Sequence, residues 1–179
     1  MNAILSPEGF PVQHLGIGEG GVFETPARVH VLLGSCVAVT FHSPSRGIGA
    51  TFHALLPSRA EFARQGQDDG PFRYVDSAIS ELLSRLRGLR CMADLEVKVF
   101  GGANSLVQGE FGIGMKNVRT AFASLALSGL RVSASNVGGT RGRKLVFLPS
   151  SGEVYMKVLS ETPVSGMTAS LNRCPLGKP

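Results

Sequence analysis

The sequence predicts an α+β fold built on a mixed β-sheet, and three observations support this class. Short apolar strands come first, at 28–33, 36–42 and 48–56. Segments with helical periodicity and further strands follow them in mixed order. No internal repeat relates one part of the chain to another. Strands followed by a mixture of helices and strands favour an α+β or mixed-sheet fold over a regular alternation of strand and helix.

The first strands are joined by turn-forming residues. Gly34 and Ser35 separate the first strand from the second, and the segment SPSRG at 43–47 separates the second from the third. Proline presets the backbone of such a turn, and glycine tolerates the positive φ that a turn can require. The segment 43–47 therefore predicts a β-hairpin.

Two helices and four further strands complete the predicted fold. The apolar residues of 73–90 recur at steps of four, three, one and three, which places them on one face of a helix. A second helix is expected across about 116–127, with Phe122 among its inward side chains and a C-terminal cap at 128–129. The remaining strands are predicted at 95–100, 130–135, 144–149 and 153–158.

The length of the chain suits one domain with a sizeable core. We predict a single domain over residues 1–159. Residues 160–179 are rich in Pro, Ser and Gly and have few apolar anchors, which predicts a flexible C-terminal tail.

Composition and charge narrow the possible classes of protein. The formal net charge is +5 and the sequence pI is about 9.5, which favours acidic partners. The Lys and Arg residues are spread along the chain without a basic face interleaved with aromatic residues, so we expect no nucleic-acid partner. The three cysteines form no C-x-x-C pair and leave one unpaired, a pattern typical of a reducing compartment. Without a basic and apolar leader or an apolar run of about 18 residues, we expect a cytoplasmic protein with no membrane insertion.

Two glycine-rich motifs and the histidines do not support a cofactor. The segment 16–21 has the G-x-G-x-x-G spacing, but no strand precedes it and no long helix can follow it. The segment 138–143 lacks the G-K-[ST] ending of a P-loop and joins two strands, which indicates a structural turn. The His and Cys residues have no metal-ligand spacing. We therefore expect neither a cofactor nor a metal ion.

The turn before the second strand contains a cysteine, Cys36, whose position raises a functional hypothesis. A hairpin with equal arms about 43–47 pairs position 36 with about position 54, so His53 falls within a residue of it. A neighbouring imidazole can remove a thiol proton and so produce a nucleophile, and unpaired backbone N–H groups at 34–36 can stabilise an oxyanion. The alternative is that Cys36 is a small buried side chain and His53 a structural one. Spacing alone leaves both interpretations open.

Six motifs in consistent order resemble the chemoreceptor glutamine deamidase family, the CheD proteins. The resemblance covers about residues 15–158. The motifs that carry it are LLGSCVAV at 32–39, HALLP at 53–57, RYVDSAI at 73–79, KVFGGAN at 98–104, IGMKN at 113–117 and NVGGTRGRKLVF at 136–147.

The resemblance implies a fold, an activity and a set of partners. The fold is an α/β sandwich similar to the toxin-type cysteine deamidases. The activity is hydrolysis of particular chemoreceptor glutamines to glutamates through a Cys thioester, with release of ammonia, during adaptation in bacterial chemotaxis. Cys36 corresponds to the nucleophile of the family and His53 to its base. The implied partners are the cytoplasmic helices of methyl-accepting chemoreceptors and, where one exists, a CheC-type phosphatase.

The chain differs from the family pattern beside the nucleophile. The family commonly has a Thr five or six residues earlier that helps to position the base, and His30 and Val31 stand at those positions. We therefore expect His30 or Thr51 to take the orienting role, and Ser35 to contribute to orientation or to the oxyanion site. Two other functions remain open: a catalytically weak adaptor that binds receptors or a CheC-type protein, and a thiol esterase that acts on methylated receptor glutamates.

Overall fold

The structure is a computed structural model that describes residues 9–64, 69–104, 112–160 and 172–173. The strands in these ranges are β1 Val12–Leu15, β2 Gly20–Phe23, β3 Arg28–Leu33, β4 Val37–Ser43, β5 Ile48–Phe52, β6 Glu96–Gly101, β7 Val132–Val137, β8 Arg143–Leu148, β9 Glu153–Val158 and β10 Asn172–Arg173. The helices are α1 Arg59–Phe62, α2 Val75–Gly88 and α3 Ile113–Leu127, with a short 3-10 turn at Met92–Asp94.

The strands form two five-stranded mixed sheets. The first sheet has the order β1-β3-β8-β9-β10, and the second has the order β2-β5-β4-β6-β7. The pairings β1 with β3 and β6 with β7 are parallel, and the other pairings are antiparallel. Among the helices of the described residues, none is long and apolar enough to cross a membrane.

The two sheets lie face to face, and helices cover the outer face of the second sheet. One core cluster joins side chains of β4, β5 and β6 to α2 and α3. The other cluster lies between the sheets and joins side chains of β3, β8 and β9 to Cys36, Ala38 and Phe100 of the second sheet. Burial of opposite faces in two cores is the layered arrangement expected of an α+β sandwich. The predicted class, a mixed-sheet sandwich flanked by helices, is confirmed.

The β4–β5 hairpin forms where the sequence predicts it. The turn closes through a hydrogen bond from the Gly47 N–H to the Ser43 carbonyl oxygen, 2.9 Å between nitrogen and oxygen. Gly47 has a φ of 61°, a left-handed conformation that glycine adopts without strain. All seven residues of β4 are buried because the strand lies between β5 and β6, with a core on each face. The hairpin therefore positions the residues just before β4 and just after β5.

Helix α3 differs from its prediction in one respect that matters for the site. Its buried positions include Asn117, Val118, Ala121 and Leu125, whereas Phe122 is 36% exposed. The expectation that Phe122 faces inward was wrong, because it lies one residue, about 100° of helix rotation, beyond Ala121. A polar residue, Asn117, occupies a place in the buried stripe instead.

The predicted division into one domain and a tail stays a prediction. The segment 160–179 lies outside the described residues except for Ser160 and the two residues of β10. Those two residues pair with β9 at the edge of the first sheet.

Candidate active site

The register of the β4–β5 hairpin determines which side chains share a face. Val37 and Ala54 form an antiparallel pair, with N···O distances of 3.0 and 2.9 Å, in register with the ladder that pairs Thr40 with Thr51. Cys36 therefore lies opposite Leu55. The expected pairing of position 36 with about position 54 is wrong by one residue. The difference is important because a one-residue slip moves side chains to the other face of a sheet.

In this register, Cys36 and His53 project from the same face of the hairpin. His53 lies opposite Ala38, two residues along the strand from the partner of Cys36. Such diagonal neighbours are typically about 7–8 Å apart across a sheet, within reach of an aromatic ring. The face is the one that packs on the first sheet, since Cys36 and Ala38 belong to the core cluster between the sheets.

The imidazole of His53 is held so that one ring nitrogen is available as a base. Its Nδ1 lies 3.2 Å from the carbonyl oxygen of Leu15. A carbonyl oxygen only accepts hydrogen bonds, so this contact requires the proton on Nδ1 and leaves the lone pair on Nε2. The Nε2 atom is buried and has no hydrogen-bond partner among the described residues. The Nε2 atom can therefore accept a proton.

Burial changes the proton affinities of both groups in opposite directions. His53 is 4% exposed, and burial lowers its pKa, an effect partly opposed by the bond to Leu15 and by Glu19. Cys36 is 6% exposed and forms no disulfide among the described residues, and burial raises the pKa of its thiol. Both shifts favour the neutral forms. A buried neutral thiol of this kind needs a base at the moment of attack. In the structure His53 Nε2 shares a face with Cys36 but makes no hydrogen bond to its sulfur.

The turn before β4 is held through its carbonyl groups, and the Cys36 N–H bonds to its own sulfur, which partly opposes the effect of burial on the thiol pKa. The Gly34 carbonyl accepts from the Ala103 N–H at 2.9 Å, and the Cys36 carbonyl accepts from the Gly102 N–H at 2.8 Å. None of the N–H groups of residues 34–36 donates to a backbone carbonyl oxygen among the described residues. Such N–H groups beside a nucleophile are the kind of donor that stabilises an oxyanion.

Two glycines at the end of β6 permit this close contact. Gly101 and Gly102 have φ values of 109° and 69°, which other residues rarely adopt. A Cβ atom on Gly101 would also collide with the carbonyl oxygen of Cys36. The motif KVFGGAN therefore places a side-chain-free backbone against the cysteine.

Asn117 is the site residue that the sequence analysis missed. It is 0% exposed, and its Nδ2 donates to the carbonyl oxygens of Ser35 and Leu55, both at 2.9 Å. One amide thus joins the turn before Cys36 to the segment after His53. The available signal was an asparagine within the apolar stripe of α3.

The structure separates the two candidates for the orienting role. Thr51 lies two residues before His53 on the same face, and its buried Oγ1 has no partner among the described residues. His30 lies on the outer face of β3, where its ring is 5.0 Å from that of His14. Burial, together with nearby His14, Lys144 and Arg28, lowers the pKa of His30. Thr51 is therefore brought to the side of His53, whereas His30 is not.

No group of three or more His, Cys, Asp or Glu side chains within the described part of the chain is arranged to hold a metal ion.

Fold and site together define a two-sheet α+β protein with a buried cysteine and histidine on one face of a hairpin. The family model described as "CheD chemotactic sensory transduction" matches residues 55–158. The chain belongs to the CheD family, which confirms the resemblance in its motifs.

Curated relatives are similar over most of the chain. The probable chemoreceptor glutamine deamidase CheD of Nitratidesulfovibrio vulgaris is 41% identical over 161 residues, covering 83% of this chain and 78% of that protein. The probable chemoreceptor glutamine deamidase CheD 2 of Geobacter sulfurreducens is 42% identical over 156 residues, covering 85% of this chain and 92% of that protein. The Bacillus licheniformis hypothetical protein YfiH has a solved structure that matches with a TM-score of 0.44 at 14% identity, over 68% of this chain and 51% of that one.

Proposed function

We propose that this protein is a chemoreceptor glutamine deamidase, which hydrolyses the side-chain amide of particular receptor glutamines to give glutamate and ammonia. The similarity to curated relatives of that name supports the reaction class. The observation that carries the mechanism is the unpartnered Nε2 of His53 on the face of the hairpin that also presents Cys36.

The reaction begins when the Cys36 sulfur attacks the carboxamide carbon of the glutamine. His53 Nε2 takes the thiol proton as the carbon–sulfur bond forms. The carbonyl oxygen becomes an oxyanion, and the N–H groups of the turn 34–36 donate to it. The carbon–nitrogen bond then breaks as His53 returns the proton to the departing nitrogen, which leaves as ammonia. A thioester between Cys36 and the glutamine side chain remains.

Water completes the cycle. His53, now neutral again, takes a proton from a water molecule that attacks the thioester carbon. The carbon–sulfur bond breaks, the thiolate recovers the proton and glutamate is released. One amide and one water are consumed for each glutamate and ammonia, and no redox partner or cofactor is required.

The proposed substrate is the cytoplasmic helical region of a methyl-accepting chemoreceptor, where the new glutamates become sites for methylation in adaptation. The protein would act in the cytoplasm and bind a CheC-type phosphatase where the cell has one. The net charge of +5 suits an acidic receptor surface.

The test is mass spectrometry of a purified receptor cytoplasmic fragment incubated with this protein. Wild type and Cys91→Ala are expected to convert the same glutamines, because Cys91 is buried in the core beside the helices. Cys36→Ala and His53→Ala are expected to leave the fragment unchanged. Conversion that survives Cys36→Ala would contradict the mechanism. Receptor binding without conversion by the wild type would favour the adaptor function instead.

A further inference from the structure

Asn117 contacts both arms of the candidate site through one amide group. Its two Nδ2 protons are used by the carbonyl oxygens of Ser35 and Leu55, on either side of the hairpin. Leu55 lies opposite Cys36 in the hairpin register. The amide orientation follows from these contacts, because Oδ1 in that place would face two carbonyl oxygens and donate to neither.

A packing role alone does not explain the amide. Its Oδ1 is buried and has no partner among the described residues, which is a net cost to folding. Leu125, eight residues later on α3, fills its buried position with an aliphatic side chain. At Asn117 the chain instead has an amide whose Oδ1 is buried without a partner in the described part of the chain, while its Nδ2 makes two hydrogen bonds of 2.9 Å.

The bond to Ser35 has a consequence for the next residue. The carbonyl of Ser35 and the N–H of Cys36 belong to one peptide unit, and the described backbone has no cis peptide. In a trans unit the two groups lie in one plane and point in opposite directions. A donor fixed on the Ser35 oxygen therefore fixes the direction of the Cys36 N–H.

The same bond strengthens the N–H as a donor. Hydrogen bonds in a chain polarise one another, so a peptide whose oxygen accepts from Asn117 donates more strongly through its nitrogen. The peptide between Ser35 and Cys36 is thus aimed and polarised, and its N–H has no backbone acceptor among the described residues.

We propose that Asn117 is a positioning residue that aims the Cys36 N–H as an oxyanion donor and holds it in register with the arm that carries His53. The proposal rests on the proposed deamidase function. It predicts an effect on the transition state of acyl chemistry rather than on access to the thiol. A merely structural role for Asn117 would instead affect every reaction of Cys36 to a similar extent.

Two reactions of the same cysteine test the proposal. Deamidation of the receptor fragment forms an oxyanion, whereas alkylation of Cys36 by iodoacetamide displaces iodide and forms none. Asn117→Ala is expected to lower kcat about 10- to 100-fold with little change in KM, since loss of a whole oxyanion donor costs about 100- to 1,000-fold. The alkylation rate per Cys36 thiolate, taken from the pH dependence of the reaction, is expected to stay within about threefold of wild type, because this bond formation needs no oxyanion donor. Asn117→Ser, whose hydroxyl donates to one carbonyl only, is expected to fall between wild type and alanine.

Leu125→Ala is the matched control, because it also truncates a buried side chain of α3. It is expected to lower the thermal transition while keeping kcat near wild type. If Asn117→Ala lowers kcat no more than Leu125→Ala, or slows alkylation as much as deamidation, the positioning role is wrong. Asn117→Ser decides the question if the alanine variant does not fold. Deamidation by Cys36→Ala would instead overturn the proposed function, whatever the Asn117 variants do.

Discussion

At the scale of single residues, burial sets the resting state of the candidate site. It raises the pKa of the Cys36 thiol and lowers that of the His53 imidazole, so the pair rests as neutral thiol and neutral imidazole. A resting ion pair would place two opposite charges in a space that excludes water, at a desolvation cost. In the proposed mechanism, the proton must therefore leave the thiol during attack, because burial disfavours a preformed thiolate.

The pH dependence of the rate follows from the lowered pKa of His53. Protonation of Nε2 removes the base, so kcat/KM should fall on the acid side with a midpoint below the ordinary histidine value of about 6.5. Above that value the imidazole is already neutral and the rate should be flat through neutral pH. The measurement is the initial deamidation rate of the receptor fragment across this range.

His42 provides the control for this profile. It is also a buried histidine whose pKa is lowered by burial, but it lies near the far end of β4 from Cys36. His42→Gln should keep the same acid midpoint. A wild-type midpoint above about 6.5 would contradict the assignment of His53 as the base.

At the scale of elements, one buried arginine joins the two sheets near the site. Arg143 begins β8 of the first sheet, opposite Leu33, and its Nε donates to Asn136 Oδ1 in β7 of the second sheet at 2.6 Å. Its other bonds go to the carbonyl oxygens of Gly138 and Arg141, at 2.6 and 3.3 Å. Burial lowers its pKa, and every acceptor that these bonds use is neutral. The guanidinium is thus well bonded, although these acceptors leave its charge uncompensated.

Asn136→Asp should stabilise the protein by placing a carboxylate on the Arg143 Nε. The present bond has an ionised donor only, and a carboxylate adds the attraction of opposite charges, which its own desolvation partly offsets. We therefore expect a gain of about 1 kcal/mol in the free energy of unfolding at neutral pH. The guanidinium should hold the pKa of the new carboxyl below its unfolded value. The gain is therefore complete above the unfolded pKa and is lost as pH falls through the folded pKa. Urea unfolding of the variant and the wild type at neutral pH measures the gain, and the same comparison at acid pH measures its loss.

Ser135→Asp adds the same charge one residue away, at an exposed position of β7. It should change the unfolding free energy by less than about 0.5 kcal/mol. An equal gain from both substitutions would show a general charge effect and contradict the pairing with Arg143.

Local sequence patterns predicted much of the hairpin and less of what surrounds it. The turn 43–47 and the apolar stripe of α2 are encoded by neighbouring residues, and both formed as expected. The register differed by one residue because it depends on which carbonyl of the turn accepts the closing bond. Asn117 escaped prediction because its partners lie 82 and 62 residues away in the chain. An amphipathic pattern records only that a buried position is polar, and the contacts that satisfy it come from the tertiary fold.

At the scale of the whole molecule, the second sheet takes part in both cores. Its β4 sends Val37, Val39 and Phe41 towards the helices and Ala38 towards the first sheet. Unfolding either layer would expose one face of this fully buried strand. The predicted single domain should therefore unfold as one cooperative unit.

Two cavity variants, one in each core, test this cooperativity. Leu82 is buried against the second sheet from α2, and Leu145 is buried between the sheets from β8. Each change to alanine should cost about 2–5 kcal/mol and lower one common transition with the urea dependence unchanged. Far-UV circular dichroism follows the helices, and hydrogen exchange of the β8 amides follows the first sheet. If Leu145→Ala released the β8 amides at a urea concentration where the helices stayed intact, the sheets would be separate units. Coincident transitions in both variants would instead mean that a defect in either core weakens the whole molecule, including the turn that holds Cys36.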